Sequence, residues 1–146
     1  MATYESRRVG ANEFSFVGYP MQVMKQHYAH SDLDASFNFF VPIEAGVAVI
    51  GVAHHVTEAF SGGTPTIDLG DSGATNSWLT ATNLTEGSLN NFVHSIGNTS
   101  TNAAGKFFAA ADYIKVTGST ELTAGEADIY VFYINPATNW RTENDV

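Results

Sequence analysis

The sequence lacks cysteine and is poor in charge. Without cysteine it has no disulfide bonds and no thiolate metal ligands, which is typical of a protein made in a reducing cytoplasm. Asp, Glu, Lys and Arg make up 14% of the 146 residues, well below the roughly 25% of an average domain. Six of these residues are basic and fifteen are acidic, so the formal net charge is -9. Phosphate binding needs clustered Lys and Arg, so we expect no nucleic-acid partner.

A long apolar run is also missing. The longest, at residues 47–53, is far shorter than the roughly 20 residues that cross a bilayer, so we expect no membrane partner. Residues 1–10 are polar, carry Arg7 and Arg8, and are not followed by an apolar segment, which argues against a signal peptide. Neither a phosphate-cradling glycine loop nor a dinucleotide fingerprint occurs, so we expect no cofactor.

Aromatic residues, in contrast, are plentiful: they make up 12% of the chain, with ten Phe and six Tyr. A small domain with few charges and many aromatic residues often buries part of its surface in an oligomer. The alternative is a surface built from Ser, Thr, Asn and Gly, which are also abundant here.

Short segments of strand-like composition alternate with clusters of Gly, Pro, Asn, Ser and Thr. The predicted strands are residues 14–18, 36–41, 47–60, 64–69, 106–109, 113–117 and 126–134, with weak alternation at 89–96. Two further segments, 21–28 and 77–84, fit either a strand or a short helical turn. Loops are predicted at 42–46, 61–63, 70–76, 97–105 and 118–125. About eight strands at a spacing of about 10 residues predict an all-β sandwich or barrel.

The predicted strands differ in how many of their faces are apolar. Residues 47–53 are apolar on both faces, which is typical of a strand covered on both sides. In the last strand, alternation places Ile129, Val131 and Tyr133 on one face. Their neighbours Tyr130, Phe132 and Ile134 then share the other face, so this strand is also apolar on both sides.

Two terminal segments differ from the strand region in composition. We divide the chain into an N-terminal arm at 1–13, a β domain at 14–135 and a C-terminal tail at 136–146. Such termini are either loose or ordered by contact with a neighbouring subunit. For the tail, Trp140 favours the second interpretation, because a lone Trp in a polar segment tends to pack against something.

One string resembles a catalytic motif. Gly-Asp-Ser-Gly at 70–73 is similar to the segment around the nucleophilic serine of chymotrypsin-like proteases, and Ala53-His54 is similar to their histidine segment. The spacing does not match, because only 18 residues separate His54 from Ser72 and those proteases need two barrels. Turn chemistry explains the string, and we expect no enzyme activity.

The sequence gives only weak indications of a metal site. His54 and His55 are adjacent and point to opposite faces of a strand, so they cannot share one ion. His27 and His30 suit chelation only in a helix, and no third ligand completes the set that zinc requires. Oxygen ligands for calcium are offered by Asp68, Asp71 and Asn76, whose spacing matches no calcium loop. We therefore expect no metal within one subunit, and a histidine cluster around an oligomer axis stays open as an alternative.

The middle and end of the chain resemble small structural proteins of tailed bacteriophages. The motifs are Gly-Gly-Thr-Pro-Thr-Ile-Asp-Leu-Gly-Asp at 62–71 and Thr-Ala-Gly-Glu-Ala-Asp-Ile-Tyr-Val-Phe-Tyr at 123–133. The segments 107–110 and 112–117 match the region between them, so the resemblance covers roughly residues 47–134. It implies a single jelly-roll-like β-sandwich of about eight antiparallel strands.

The resemblance also implies a role as a capsid decoration (cement) protein. Such a protein is made in the host cytoplasm, forms a homotrimer, and binds the major capsid protein on the outer surface of the virion. Partner contacts are predicted for Tyr4, Arg7 and Arg8 in the arm and for Trp140 in the tail. Two alternatives stay open: a fibre, spike or baseplate component that contacts a host receptor, and a carbohydrate-binding module in which Trp78 or Trp140 stacks on sugar rings.

Overall fold

The computed structural model describes residues 21–83, 89–118 and 122–135. These ranges contain nine β-strands and a single turn of 3-10 helix at His30–Asp32. The strands are β1 Gln22–Ala29, β2 Asn38–Ile43, β3 Val47–Ser61, β4 Thr66–Asp71, β5 Ala74–Asn83, β6 Phe92–His94, β7 Lys106–Phe108, β8 Asp112–Gly118 and β9 Ala124–Ile134. The strand predicted at 14–18 lies outside the described residues. No helix in the described ranges is long and apolar enough to span a membrane.

The strands form two antiparallel sheets. The first sheet has the order β1-β9-β3, and the other edge of β3 is shared by β7 and β6. The second sheet has the order β2-β8-β4-β5. One cluster of buried residues drawn from both sheets lies between them. The prediction of an all-β sandwich is therefore confirmed, with nine described strands where about eight were expected.

The core consists of the inward-facing residues of both sheets. Its largest fully buried side chains include Trp78, Tyr28, Phe60, Ile67, Leu69, Ile114 and Ile129. The inward-facing side chains predicted from alternation are confirmed in two strands. Ile67 and Leu69 are buried in β4, and Ile114 and Val116 are buried in β8. The alternation works because successive side chains of a strand point to opposite faces of its sheet.

The prediction of a loop at 70–76 is wrong. Strand β4 continues through Asp71 and β5 begins at Ala74, so Ser72 and Gly73 alone form the turn. Glycine is required at position 70, because a side chain there would overlap the backbone of Ala74. The segments 21–28 and 77–84, which fitted either a strand or a helical turn, belong to β1 and β5.

Strand β2 is shifted relative to the prediction. It begins at Asn38, because the Asp34 carboxylate accepts hydrogen bonds from the backbone N–H groups of Ser36 and Asn38 and holds the chain in a turn. Phe37 lies in that turn with a positive φ of 64°. The strand then extends through Ile43, whose buried side chain joins the core, instead of ending at residue 41.

The loop at 97–105, predicted as a loop and found as one, covers the edge of the second sheet. The backbone N–H of Asn102 donates to the carbonyl of Ser77 at 2.8 Å, and the Asn98 amide donates to the carbonyl of Trp78 at 3.2 Å. Strand β5 therefore does not present an open row of backbone groups along this stretch, which is how natural sheets avoid pairing edge to edge.

Candidate functional site

The outer surface of the first sheet carries most of the exposed aromatic residues of the sandwich. Residues directly opposite one another in antiparallel strands share a face, so the strand registers define this surface. We name it the aromatic face; its members are Val23, Lys25, His27, Ala48, Ala53, His55, Phe92, His94, Phe107, Asp128, Tyr130, Phe132 and Ile134.

An aromatic cluster occupies one side of this face. The Phe92 ring centroid lies 6.0 Å from that of His55, 6.4 Å from His94 and 6.5 Å from Tyr130. The Lys25 ammonium lies 6.0 Å from the centroid of the Tyr130 ring. The cluster arises because β6 pairs with residues 53–55 of β3, while β3 pairs with β9 on its other edge.

Several large apolar side chains of the aromatic face and its border are open to solvent. Val23, Phe92 and Phe107 are 54%, 53% and 57% exposed, and Ile96, which lies over Gly51, is also exposed. Exposed apolar side chains grouped on one face, with polar residues around them, mark a candidate site of association.

The charges of the aromatic face compensate one another at one end. The Asp128 carboxylate lies 3.1 Å from Lys25 Nζ and 2.9 Å from His27 Nδ1, and Glu126 lies 3.5 Å from His27 Nε2. Burial raises the pKa of Asp128, but the hydrogen bonds from His27 and Lys25 outweigh it, and the net pKa lies below the ordinary value. Asp128 is therefore ionised at neutral pH and neutralised by the lysine beside it.

The outer surface of the second sheet has a different composition. We name it the polar face; its members are Asn38, Phe40, Pro42, Thr66, Asp68, Tyr113, Lys115 and Thr117. Its one aromatic pair is Phe40 and Tyr113, which meet edge to face at 5.0 Å. Thr117 Oγ1 donates to Asn38 Oδ1 at 2.9 Å.

The residues of the protease-like string do not come together. His54 is fully buried in the core, where its Nε2 lies 3.0 Å from the hydroxyl of Tyr28. Ser72 lies in the exposed β4–β5 turn and donates to Asp112 Oδ2 at 2.7 Å. Burial, and secondarily His55, lower the pKa of His54 to about 3. The segment is a turn next to a buried histidine, and the described residues assemble no Ser-His-Asp arrangement.

Asp71, one of the residues considered for calcium, has other partners. Its carboxylate accepts from Lys106 Nζ at 2.9 Å, from the Asn102 amide at 3.0 Å and from the Gly73 backbone N–H at 2.8 Å. Burial raises the pKa of Asp71, but the hydrogen bonds from Lys106, Gly73 and Ser77 outweigh it, so the net pKa lies below the ordinary value. Asp71 ties the end of β4 to the loop at 97–105 and to β7.

Histidine placement also bears on the metal question. His54 and His55 point to opposite sides of the first sheet, as predicted: His54 into the core and His55 onto the aromatic face. His27 lies in β1 and His30 in the 3-10 turn, so the helix that chelation by this pair would need is not formed. Across the described ranges, no three His, Asp or Glu side chains are grouped to hold a metal ion.

Trp78 is not available to a sugar. It is fully buried in the core, so the prediction that it stacks on sugar rings is wrong. Trp78 lies in β5, whose pairing with β4 is irregular, with register shifts on either side of the Leu69–Leu79 pair. Trp140 and the arm residues Tyr4, Arg7 and Arg8 lie outside the described residues, and their partner contacts stay predictions.

The sequence contained part of the signal for the aromatic face. Alternation placed Tyr130, Phe132 and Ile134 together, and Phe92 with His94. It did not indicate that β1 and β7 add Val23 and Phe107 to the same surface. That assembly depends on which strands pair, and the pairing joins residues far apart in the chain.

Comparison with known proteins identifies solved structures that share this fold. No protein-family model and no curated protein matches this chain. Among solved structures, a chain in the capsid asymmetric unit of cyanophage Pam1 superimposes with a TM-score of 0.63 at 16% identity, covering 82% of this chain and 87% of that one. A chain in the capsid of Helicobacter pylori bacteriophage KHP30 gives 0.56 at 13% identity, covering 80% and 88%. A chain in the capsid of Ralstonia phage GP4 gives 0.53 at 15% identity, covering 78% and 84%.

These three similarities are similarities of fold. The chain has the β-sandwich found in structures of phage capsids, and the similarity extends over most of its length and most of each neighbour. The resemblance to structural proteins of phages is thus confirmed in three dimensions, at identities of 13–16%.

Proposed function

We propose that this chain is a structural subunit of a phage virion, a decoration protein that binds the outer surface of the head as a homotrimer and stabilises it. In this proposal it is made in the host cytoplasm and contacts the major capsid protein. The observation that carries the proposal is the shared fold with chains of three phage capsids, over 78–82% of this chain. A fold hosts several functions, so the surfaces supply the second line of support.

The aromatic face is the surface that we assign to contact between copies. Subunits with a formal net charge of -9 repel one another, so they associate best over a surface whose charges are already compensated. The pairing of Asp128 with Lys25 and His27 provides that compensation. The exposed Phe92 and Phe107 provide aromatic anchors of the type that dominates interface energetics.

The capsid contact is assigned to the N-terminal arm, residues 1–13. Tyr4, Arg7 and Arg8 give this arm two of the six basic residues of an acidic chain, together with an aromatic side chain that binds surfaces at low entropic cost. Three arms on one trimer bind cooperatively through effective concentration, so that weak single contacts add up to stable attachment.

Two measurements test the proposal. Light scattering on the purified protein is expected to give three times the chain mass of 15.7 kDa, and a monomer at all concentrations contradicts the trimer. Electron cryo-microscopy of phage particles is expected to show many copies over the head. A few copies at the tail would instead support the fibre, spike or baseplate alternative.

Deletion of residues 1–13 separates the arm from the sandwich. The truncated protein is expected to keep its trimeric mass and to lose binding to heads that lack the native protein. Full occupancy of such heads by the truncated protein contradicts the role of the arm, while leaving the fold and the aromatic face untouched.

A further inference from the structure

A groove with apolar walls and polar residues among its lining opens at one end of the sandwich, between the two sheets. Its walls are Met24 of β1, Tyr133 of β9 and Val47 of β3 on one side and Ile43 of β2 on the other. Glu44 lies at its rim, exposed to solvent. The groove measures about 460 Å³, and we name it the end groove.

The C-terminal tail begins at this groove. Asn135, the last described residue before the tail, is one of the groove's lining residues. Trp140 follows five residues later, which lets its Cα lie up to about 17 Å from Asn135 when the chain is extended. A short connection of this kind keeps a segment at millimolar effective concentration near its site.

The chemistry of the tail matches that of the groove. Trp140 is the only aromatic residue in 136–146, and Arg141 follows it directly. A cavity of about 150 Å³ holds a benzene ring, so the end groove has room for an indole. An indole there covers the half-buried Met24 and Tyr133 and the buried Val47, while the neighbouring arginine is placed to meet Glu44.

The N-terminal residues fit less well. They also adjoin the groove, since Gln22 is one of its lining residues. Their aromatic residues nearest the groove, Phe14, Phe16 and Tyr19, have no arginine beside them. Tyr4 does have Arg7 and Arg8 close by, but it lies 18 positions before Gln22, whereas Trp140 follows Asn135 by five. The charge of Glu44 therefore favours the tail.

We propose that the end groove is the docking site of the chain's own C-terminal tail, with the Trp140 indole between the sheets and Arg141 paired with Glu44. The tail then fastens β9 to β2 across the open end of the sandwich. This assignment is independent of binding to a phage head. It gives Trp140, which the sequence suggested as a partner contact, a partner within its own subunit.

Fluorescence of the intact protein tests the proposal. Trp78 is the only other tryptophan and is fully buried, so the wild-type spectrum minus that of Trp140→Phe is the emission of Trp140. We expect this emission to be blue-shifted relative to a peptide of residues 136–146, and its acrylamide quenching to be reduced about fivefold because the indole is covered. Emission and quenching equal to those of the peptide overturn the proposal.

A matched pair of variants tests the groove itself. Met24→Glu places a charge in the groove and is expected to bring Trp140 quenching to the level of the peptide. Met21→Glu makes the same change at an exposed methionine that does not line the groove and is expected to leave quenching unchanged. Circular dichroism checks that both variants keep the β fold. Equal quenching in the two folded variants contradicts docking in the end groove.

A charge exchange tests the pair at the rim. Glu44→Arg is expected to increase Trp140 quenching, and the double variant Glu44→Arg/Arg141→Glu is expected to restore protection. Glu58→Arg, at an exposed site in β3, serves as the control. Protection that disappears on dilution assigns the groove to the tail of a second copy and overturns the assignment to the chain's own tail.

Discussion

The two outer faces of this sandwich are built by the same rule and carry different chemistry. Both consist of alternate residues of antiparallel strands, and both cover the same core from opposite sides. The aromatic face clusters Phe92 with His55, His94 and Tyr130, whereas the polar face has a single aromatic pair, Phe40 with Tyr113. Packing of the core constrains neither outer face, and the proposed function assigns the difference between them to contact between copies on the aromatic face alone.

The largest expected effect comes from placing the same charge on each face. Phe92→Glu on the aromatic face is expected to cost about 2 kcal/mol per interface, the size of a hot-spot loss. A trimer has three equivalent interfaces, so assembly weakens by about 6 kcal/mol in total. Sedimentation equilibrium over a range of concentrations measures this shift as a loss of the trimer.

Phe40→Glu on the polar face is the matched control, because it replaces the same residue type at a similarly exposed position. We expect this variant to keep the wild-type mass. If both variants dissociate, or neither does, the two faces are equivalent and the aromatic face is not the contact between copies.

The second effect is a pH dependence of stability, which we expect to arise from a histidine in the core and not from the histidines of the aromatic face. Buried His54 has a pKa of about 3, below its ordinary value of 6.5, so the unfolded chain binds a proton that the folded chain does not. The stability that neutral His54 provides is complete above about pH 6.5 and is lost as the pH falls towards 3. The loss amounts to about 2–3 kcal/mol between pH 7 and pH 4.5.

Urea unfolding at several pH values measures this dependence. His54→Gln, which keeps a polar group beside Tyr28 and does not titrate, is expected to flatten the profile between pH 7 and pH 4.5. His94→Gln makes the same substitution at an exposed position of the aromatic face and is the matched control. A flattened profile for the control alone assigns the acid sensitivity to the outer face.

A third effect, at most as large as the second, compares two buried carboxylates. Asp71 is held by Lys106, Asn102 and the Gly73 backbone, and Asp71→Asn is expected to lower the free energy of unfolding by about 2–3 kcal/mol. Asp128 pairs with two side chains that are more than half exposed, so Asp128→Asn is expected to cost about 1 kcal/mol or less.

The pH dependence of the two carboxylates has a definite sign. Both have a pKa below the ordinary value, so their contributions are complete above about pH 4 and are lost as the pH falls further. Urea unfolding at pH 7 and pH 3 measures the effect. In each Asn variant, the free energy of unfolding is expected to differ less between the two pH values than it does in the wild type. If Asp128→Asn lowers the free energy of unfolding more than Asp71→Asn does, the expectation that Asp71 contributes more to stability is wrong.

The smallest effect is expected on the polar face. Thr117→Val removes the hydrogen bond to Asn38 and is expected to lower the free energy of unfolding by about 0.5–1 kcal/mol. The mass measured by light scattering is expected to stay the same. An increase in mass on this single change would show that added apolar area is enough to make the polar face associate.

The sequence predicted the strands and their buried sides where alternation is regular. In 113–117 and 126–134, every second residue is large and apolar, and a strand has no other way to place them in one core. The prediction of a loop at 70–76 was wrong because Gly, Asp and Ser are common in turns, while here the partners of Asp71 keep the residue in a strand. Local composition carries no information on such distant partners.

The candidate site was less predictable than the fold. The burial of Trp78 and the proximity of Phe92 to Tyr130 both depend on strand register, which is set by pairing between segments remote in sequence. The pattern identified which residues share a strand face. It did not identify which strands are neighbours, and the aromatic face exists only through that arrangement.

The pairing of β1 with β9 sets an order of events during synthesis. Strand β1 leaves the ribosome first among the described strands, and its partner, which pairs Tyr133 with Gln22, leaves last. At the usual 5–20 residues per second, roughly 5–20 s separate the two strands. The second sheet needs no residue beyond Gly118 and is able to form earlier. The surface that carries the exposed aromatic residues is therefore completed only after β9 has left the ribosome, which limits the time that growing chains present it to one another.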